Sequence, residues 1–455
     1  MAPPRGPDSW HRPAVNRRDR VRQAGIRWVL VADDRNSGIE IRLVVPGDDL
    51  DAQLDLAERA FGVKSPADRV LWRQVTSRLI AQRGCLGAFI GGRAAGGAMF
   101  YDLRQWWCGR AVPMAGVISV RVAPEDRGKG IGRLLMTGLL DEMAARGYPL
   151  SVLYPATMPL YRSLGWELAG GRHTAVIPGR SLFRLMPPDA AAAGAQQAGS
   201  GLPALRRAGP ADAEAIIAVM GRVHEAARDC GPITWDVEMV TQWLARPEVY
   251  AYLCDDGFLT YHWDHGNRDL SIERAEAVSP ATVRAFWSHL GGHGSTAEKV
   301  YARVGPADAF WWLSRERDAG VAHRSMWMLR VIDAPAAISA RGFPAAVTAT
   351  VPLLIADDAR PANSGRWDLT VAEGKGSLTP APIAPAQVGP VRPRAQAFFA
   401  QPAPLALGAR GLAALYAGTP VVTLRQAGLA SGGSPEDDAA LDAVFAATPY
   451  MLDDF

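Results

Sequence analysis

The stretch Gly116-Val-Ile-Ser-Val-Arg-Val-Ala-Pro-Glu-Asp-Arg-Gly-Lys-Gly-Ile-Gly-Arg-Leu-Leu-Met136 permits few folds, because it joins an extended segment, a glycine-rich turn and an amphipathic helix in one unbroken run. Val117, Ser119 and Arg121 alternate with Ile118, Val120 and Val122, and this β-branched alternation predicts a strand that stops at Pro124. The spaced glycines of Arg127-Gly128-Lys129-Gly130-Ile131-Gly132 then let the backbone curl so that several N–H groups face one spot. Leu134, Leu135, Leu139, Leu140 and Met143 recur at helical spacing, so the turn is also a helix N-terminus with partial positive charge. A pyrophosphate fits such a cradle.

Two familiar phosphate loops fail the spacing test. A Walker loop needs Gly-x4-Gly-Lys-Ser/Thr, and the dinucleotide fingerprint needs Gly-x-Gly-x-x-Gly with a later acidic residue. Arg127-x-x-Gly130-x-Gly132 instead resembles the Gln/Arg-x-x-Gly-x-Gly/Ala element with which GNAT-fold acyltransferases hold the pyrophosphate of acetyl-CoA. Val120, Val122, Arg127, Gly128, Lys129, Gly130, Ile131 and Gly132 are therefore the expected acetyl-CoA contacts.

The flanking pattern supports the same order of elements. Ile39, Ile41 and Leu43 alternate into a first strand, and Asp48-Asp49 can cap a helix through about Phe61. A second helix is expected from Ser65 to about Gln82, started by Ser-Pro. Leu86 to Ile90, Gly91-Gly92 and Ala94 to Tyr101 read as a hairpin, ahead of the cradle strand and helix. After a buried strand at Leu150 to Tyr154, Pro159-Leu-Tyr-Arg-Ser-Leu-Gly-Trp166 resembles the GNAT segment in which a helix carries a Tyr beside the CoA sulfur. By that resemblance Tyr161 is the expected general acid.

A chain of 455 residues exceeds one compact domain. The low-complexity passage 187–201 reads as a linker, preceded by a catalytic domain at 39–186 and an Arg/Pro-rich arm at 1–38. Residues 202–323 echo the order of the first domain, but Glu276-Ala-Val-Ser-Pro-Ala-Thr282 stands where the glycine cradle belongs, so this domain is read as a degenerate repeat without chemistry. Residues 324–455 change pattern again, with a strand running into a helix at 326–338, a strand at 367–372, a Pro-rich passage at 380–404 and helices near 409–417 and 436–447.

A GNAT domain, a degenerate GNAT domain and a sterol-carrier-like end resemble the enhanced-intracellular-survival (Eis) acetyltransferases of actinobacteria. Val120-Arg-Val-Ala-Pro124, Trp327-Met-Leu-Arg-Val-Ile-Asp-Ala-Pro-Ala-Ala-Ile-Ser-Ala-Arg-Gly342 and the terminal aromatic Phe455 carry this resemblance. It implies an α/β architecture of two tandem GNAT folds plus an SCP2-like domain. It implies acetyl-CoA as cosubstrate, an amine acceptor on a small molecule or peptide such as an aminoglycoside, and a homo-oligomer, usually a hexamer. It also implies Tyr161 as acid, the Phe455 carboxylate as base and a C-terminal tail that enters the active site. Phe61 and Trp72 are the expected aromatic walls for the acceptor, and Asp453 and Asp454 a source of negative charge. The chain departs from the family in placing Gly62, Val63 and Lys64 after Phe61, where an acidic residue often holds a cationic substrate.

A net charge of +3 is too small to point to nucleic acid, and four widely spaced cysteines without a His cluster indicate neither disulfides nor a metal. No apolar run approaches the roughly 18 residues of a membrane span, and the N-terminus has no signal-peptide core, so a cytoplasmic protein is expected. A lipid-carrier or interaction protein with a vestigial GNAT fold is the alternative, and a tailoring or resistance enzyme acting on one natural-product amine is a narrower form of the enzyme reading.

Overall fold

The computed structural model describes residues 38–185, 202–313, 319–381 and 403–455. The expected arm, the expected linker and most of the Pro-rich passage lie outside them. The chain divides into two compact units, one of 1–97 with 121–138 and the other of 98–120 with 139–455.

The first unit holds strand β1 (Ile39–Leu43), helices α1 (Leu50–Phe61) and α2 (Pro66–Ala81), strand β2 (Cys85–Ile90), the start of β3 (Arg93–Trp107), the end of β4 (Arg110–Val122) and the first half of α3 (Ile131–Ala145). β1 and β2 pair antiparallel from Ile39–Ile90 to Leu43–Leu86. Asp49 caps α1 by accepting from the amides of Asp51 and Ala52 at 2.9 and 3.0 Å, and Ser65 caps α2 with Pro66 in the first turn. Leu56, Phe89, Ala94 and Ala123 form a small core. Gly96 on β3 lets α3 approach closely, since a Cβ there would stand 2.9 Å from both Ile131 and Leu135.

In the second unit the remainder of β3 and β4 is followed by β5 (Leu150–Leu153), α4 (Met158–Arg162), β6 (Glu167–Pro178) and α5 (Leu182–Leu185). The second repeat comprises β7 (Arg206–Ala208), α6 (Ala213–Ala227), β8 (Cys230–Thr234), α7 (Val237–Leu244), β9 (Tyr250–Cys254), β10 (Gly257–Asp264), β11 (Asp269–Ala277), α8 (Pro280–Gly291), β12 (Lys299–Val304), α9 (Ala309–Leu313) and β13 (Gly320–Val331). Here the two repeats exchange strands. β13 of the second lies between β5 and β6 of the first, and β6 pairs on its other edge with β12. The strand at 326–331, expected to open the third domain, therefore belongs to the larger sheet.

The C-terminal part contains α10 (Ala334–Ala340), β14 (Ala349–Ala356), β15 (Gly365–Ala372), β16 (Lys375–Pro380), β17 (Leu405–Gly408), α11 (Ala409–Tyr416), α12 (Val421–Gln426), β18 (Ala430–Ser431), α13 (Pro435–Val444) and β19 (Tyr450–Met451). Its own sheet has five strands in the order β16-β15-β14-β17-β18, with only β14 and β17 parallel. Arg341 is fully buried here, its guanidinium 4.5 to 5.5 Å from the ring centres of Tyr416, Phe343, Phe445 and Trp107. β19 returns to the larger sheet and pairs in parallel with β6, Tyr450 opposite Gly171 and Met451 opposite Arg172.

Among the described residues no helix is long and apolar enough to cross a membrane, and no group of three or more His, Cys, Asp or Glu side chains is arranged to hold a metal ion. All four cysteines are free.

Candidate active site

The glycine turn before α3 is built by backbone conformation. Gly128 and Gly130 have φ of +81° and +77°, a region that costs a residue with a Cβ roughly 1–2 kcal/mol. A Cβ on Gly128 would meet nothing within 4 Å, so space remains above the turn. α3 begins at Ile131, which is buried, and the first amides of a helix lack intrahelical partners. Arg127, Gly128, Lys129 and Gly130 are exposed and Gly132 is half-buried. Lys129 is not a free cation, because its Nζ bonds Asp126 at 2.8 Å. Asp126 is buried, and hydrogen bonds from Lys129 and Arg93 hold its carboxyl below its ordinary value.

The strand expected through β4 kinks. β4 pairs in parallel with β5 only from Met114–Leu150 to Val117–Leu153, and Ser119, two residues on, has φ of 52°. Past the kink Val120 and Val122 are half-buried, as Ile118 is before it, while Arg121 is 2% exposed. Arg121 donates to Gln53 Oε1 at 2.8 Å, and burial lowers its pKa. Its guanidinium lies 6.0 Å from the centre of the Trp72 ring. Trp72 is half-buried on α2, and Phe61 at the end of α1 is 55% exposed.

Tyr161 lies on α4 and is 5% exposed. Its carbonyl accepts from Leu164 N at 3.0 Å and Trp166 N at 3.1 Å, so the Leu-Gly-Trp turn folds back onto it. Gly165 makes that turn with φ of +93°, where a Cβ would also stand 2.9 Å from the Arg330 guanidinium. Burial pushes the Tyr161 phenol above its ordinary pKa.

The tail is seated in the second unit. Phe455 is half-buried against Tyr154 and Trp235, with ring centres 5.6 and 6.4 Å away. Gly116 makes room for it, since a Cβ there would stand 2.9 Å from the Phe455 ring, and Gly231 lets Tyr450 pass in the same way. Asp453 is 7% exposed. Its carboxylate accepts from Trp235 Nε1 at 2.8 Å and pairs with Arg274, and its carbonyl accepts from Tyr154 Oη at 2.7 Å. Burial would lower the pKa of Arg274, but Asp453 and Glu276 outweigh it and raise it. Asp454 is exposed and pairs with Arg172, and Arg303 donates to the Leu452 carbonyl at 3.1 Å.

The acidic pair expected to face a substrate is thus occupied by Arg274 and Arg172. Tyr154, Trp235 and Arg274 escaped sequence reasoning. A Tyr at the end of a buried strand and a Trp beside a helix cap were visible, but the partner that gives them meaning is hundreds of residues away.

Residues 40–169 and 233–331 each match an acetyltransferase (GNAT) domain model, and 334–452 match a sterol carrier protein domain model. The tandem arrangement with a C-terminal sterol-carrier domain, expected from sequence, is therefore present. A solved GCN5-related N-acetyltransferase from Kribbella flavida is 38% identical, with a TM-score of 0.81 over 93% of this chain and 100% of its own. An uncharacterized N-acetyltransferase of Streptomyces avermitilis is 29% identical over 73% of this chain and 83% of its own length. The N-acetyltransferase Eis of Mycobacterium tuberculosis is 28% identical over 65% of this chain and 73% of its own length.

Proposed function

This chain belongs to the GCN5-related N-acetyltransferase family, and on that footing we propose that it moves the acetyl group of acetyl-CoA onto a primary amine of a small molecule or peptide. The observation that carries the proposal is the turn at Gly128–Gly130, two positive-φ glycines that open directly onto the N-terminus of α3. Backbone amides there, with Arg127, hold the pyrophosphate. Val120 and Val122 lie past the last β4–β5 pair, and backbone amides of this stretch, which β5 no longer pairs, stabilise the oxyanion as the amine adds to the thioester carbon. The Phe455 carboxylate takes a proton from the substrate ammonium, directly or through water, so that the neutral amine attacks, and Tyr161 gives its proton to the departing thiolate.

Phe61 and Trp72 wall the acceptor in this reading. The Arg121 guanidinium near Trp72, together with Gly62-Val63-Lys64 after Phe61, favours an acceptor with one amine over a polycation. A lipid-carrier role is disfavoured by Arg341, a fully buried cation ringed by aromatic side chains within the segment that matches a sterol carrier domain. Homo-oligomerisation belongs to the same proposal, and light scattering measures it.

Calorimetry with acetyl-CoA tests the first step. Absence of binding sinks the enzyme reading. A screen of aminoglycosides, lysine-containing peptides and polyamines then identifies the acceptor.

A further inference from the structure

The buried ion pairs around Asp453 do not end at Arg274. Arg274 lies on β11, and its Nη1 donates to Glu276 Oε1 at 2.9 Å on the same strand. The other oxygen, Glu276 Oε2, lies 3.5 Å from His224 Nε2, and His224 Nδ1 lies 2.8 Å from Asp229 Oδ2. Burial, and then the facing Asp229 and Glu276 carboxylates, hold the proton on the Tyr450 phenol, so Tyr450 of β19 is a donor toward Asp229. His224, in the last turn of α6, thus stands between the two carboxylates that meet the tail at separate points, Asp229 at Tyr450 and Glu276, through Arg274, at Asp453.

The charges of this group do not balance through arginine alone. His224 is 1% exposed, and Arg274, Glu276 and Asp453 are buried with it. Three carboxylates, Asp229, Glu276 and Asp453, share the one guanidinium of Arg274. The other cations nearby are turned elsewhere: Arg228 donates to the Cys108 sulfur and the Phe343 carbonyl, and Arg303 to the Leu452 carbonyl. Asp308 is pushed toward its neutral form by burial and by Glu276 and Asp229. A buried excess of negative charge is costly, and a second cation among the three carboxylates relieves it.

His224 is placed to be that cation. A neutral imidazole has one N–H, and between two carboxylate oxygens it turns a lone pair toward one of them, whereas the imidazolium has an N–H for each. Among the described residues neither His224 Nε2 nor Glu276 Oε2 has a hydrogen-bond partner elsewhere, so a second ring proton answers both atoms. The Trp106 ring centre lies 5.7 Å from that of His224, close enough for an aromatic face to favour the charged ring.

We infer that His224 is a positioning residue for the proposed reaction: held as an imidazolium between Asp229 and Glu276, it fixes the two carboxylates that seat Tyr450 and Asp453, and through them the terminal carboxylate of Phe455. His224 touches no reacting atom and acts through the tail. The degenerate repeat thereby has a task, since His224 and Glu276 both belong to it and Glu276 opens the stretch that stands where the glycine cradle would be. The effect on turnover rests on the Phe455 carboxylate being the base, whereas the seating of the tail does not.

Carboxypeptidase A, which removes a C-terminal aromatic residue from a freed end, tests the seating on the full chain, with loss of Phe455 read by mass spectrometry. His224→Gln, which carries no charge, is expected to release Phe455 about tenfold faster or more while its far-ultraviolet circular dichroism matches the parent. Equal rates overturn the proposal. Neutron diffraction from crystals of the unaltered chain grown in neutral heavy water gives a readout that needs no variant. A deuteron on both ring nitrogens of His224 is expected, and one on Nδ1 alone overturns the charge assignment. In turnover, His224→Gln is expected to lower kcat about tenfold or more with the KM for acetyl-CoA unchanged. The same substitution is expected to cost nothing further in a chain extended by one glycine after Phe455, where the carboxylate is already displaced, and an additive loss there overturns the positioning role. Failure of acetyl-CoA to bind would defeat the acetyl-transfer reading and leave the protease and neutron outcomes untouched.

Discussion

The Phe455 ring stands edge-on to Tyr154, with centres 5.6 Å apart and planes at 63°, while Tyr154 Oη holds the carbonyl of Asp453 at 2.7 Å. One residue thus grips the tail twice, by its ring and by its hydroxyl. Burial raises the pKa of that phenol, so it remains a donor at any ordinary pH.

If the α-carboxylate of Phe455 is the base, its position matters more than the ring. Appending one glycine keeps the ring and displaces the carboxylate by about 3.5 Å. Turnover is expected to fall while acetyl-CoA affinity, measured by calorimetry, is unchanged. Full activity in the extended protein excludes the carboxylate as base.

Gly130→Glu adds bulk at φ of +77° and a like charge facing a pyrophosphate. The strain alone is about 1–2 kcal/mol, so acetyl-CoA affinity is expected to drop on the order of tenfold or more. Equal titration curves for the variant and the parent would place the cradle elsewhere.

Tyr161→Phe removes a single hydroxyl from a buried ring. We expect kcat to fall roughly 10²-fold with acetyl-CoA binding kept. Because burial raises this pKa, the acid stays protonated as pH rises, and the alkaline decline of kcat is expected only above pH ~10. A limb at lower pH that vanishes in Tyr161→Phe would contradict the sign of the shift.

Arg274→Met leaves the Asp453 and Glu276 carboxylates buried without their cation. Removing one partner of such a pair costs about 3–5 kcal/mol, read by denaturant titration. Asp453→Asn is expected to be milder, since an amide oxygen still accepts from Trp235. An Arg274→Met protein as stable as the parent would mean that the tail is not anchored there.

Local chemistry was the legible part of this chain. Asp49 and Ser65 cap the helices they were expected to start, and the glycine turn lies where its spacing put it. Arg121 was hidden because a charged residue in an alternating strand reads as solvated, whereas here it is buried and bonded to Gln53, 68 residues earlier in the chain. β6 gave little signal. Its Ala169-Gly-Gly-Arg-His173 core follows neither period, because Gly170 clears space for the tail at Pro449, Gly171 for His173 and Arg324, and the remaining side chains answer to β12 and β13. The Asp453 anchor could not be read from Asp-Asp-Phe, since a solvated terminus and a buried ion pair share that spelling.

The parallel pairing of Tyr450 with Gly171 has a consequence in time. Segments this distant in the chain meet only after the intervening loop has lost most of its freedom, and such contacts close late. Phe455 comes after β19 in the chain and is seated with it, so the proposed site ripens after the sheets that surround it. In refolding from denaturant, far-ultraviolet circular dichroism should recover first and turnover should lag behind it by the time the last strand takes to dock.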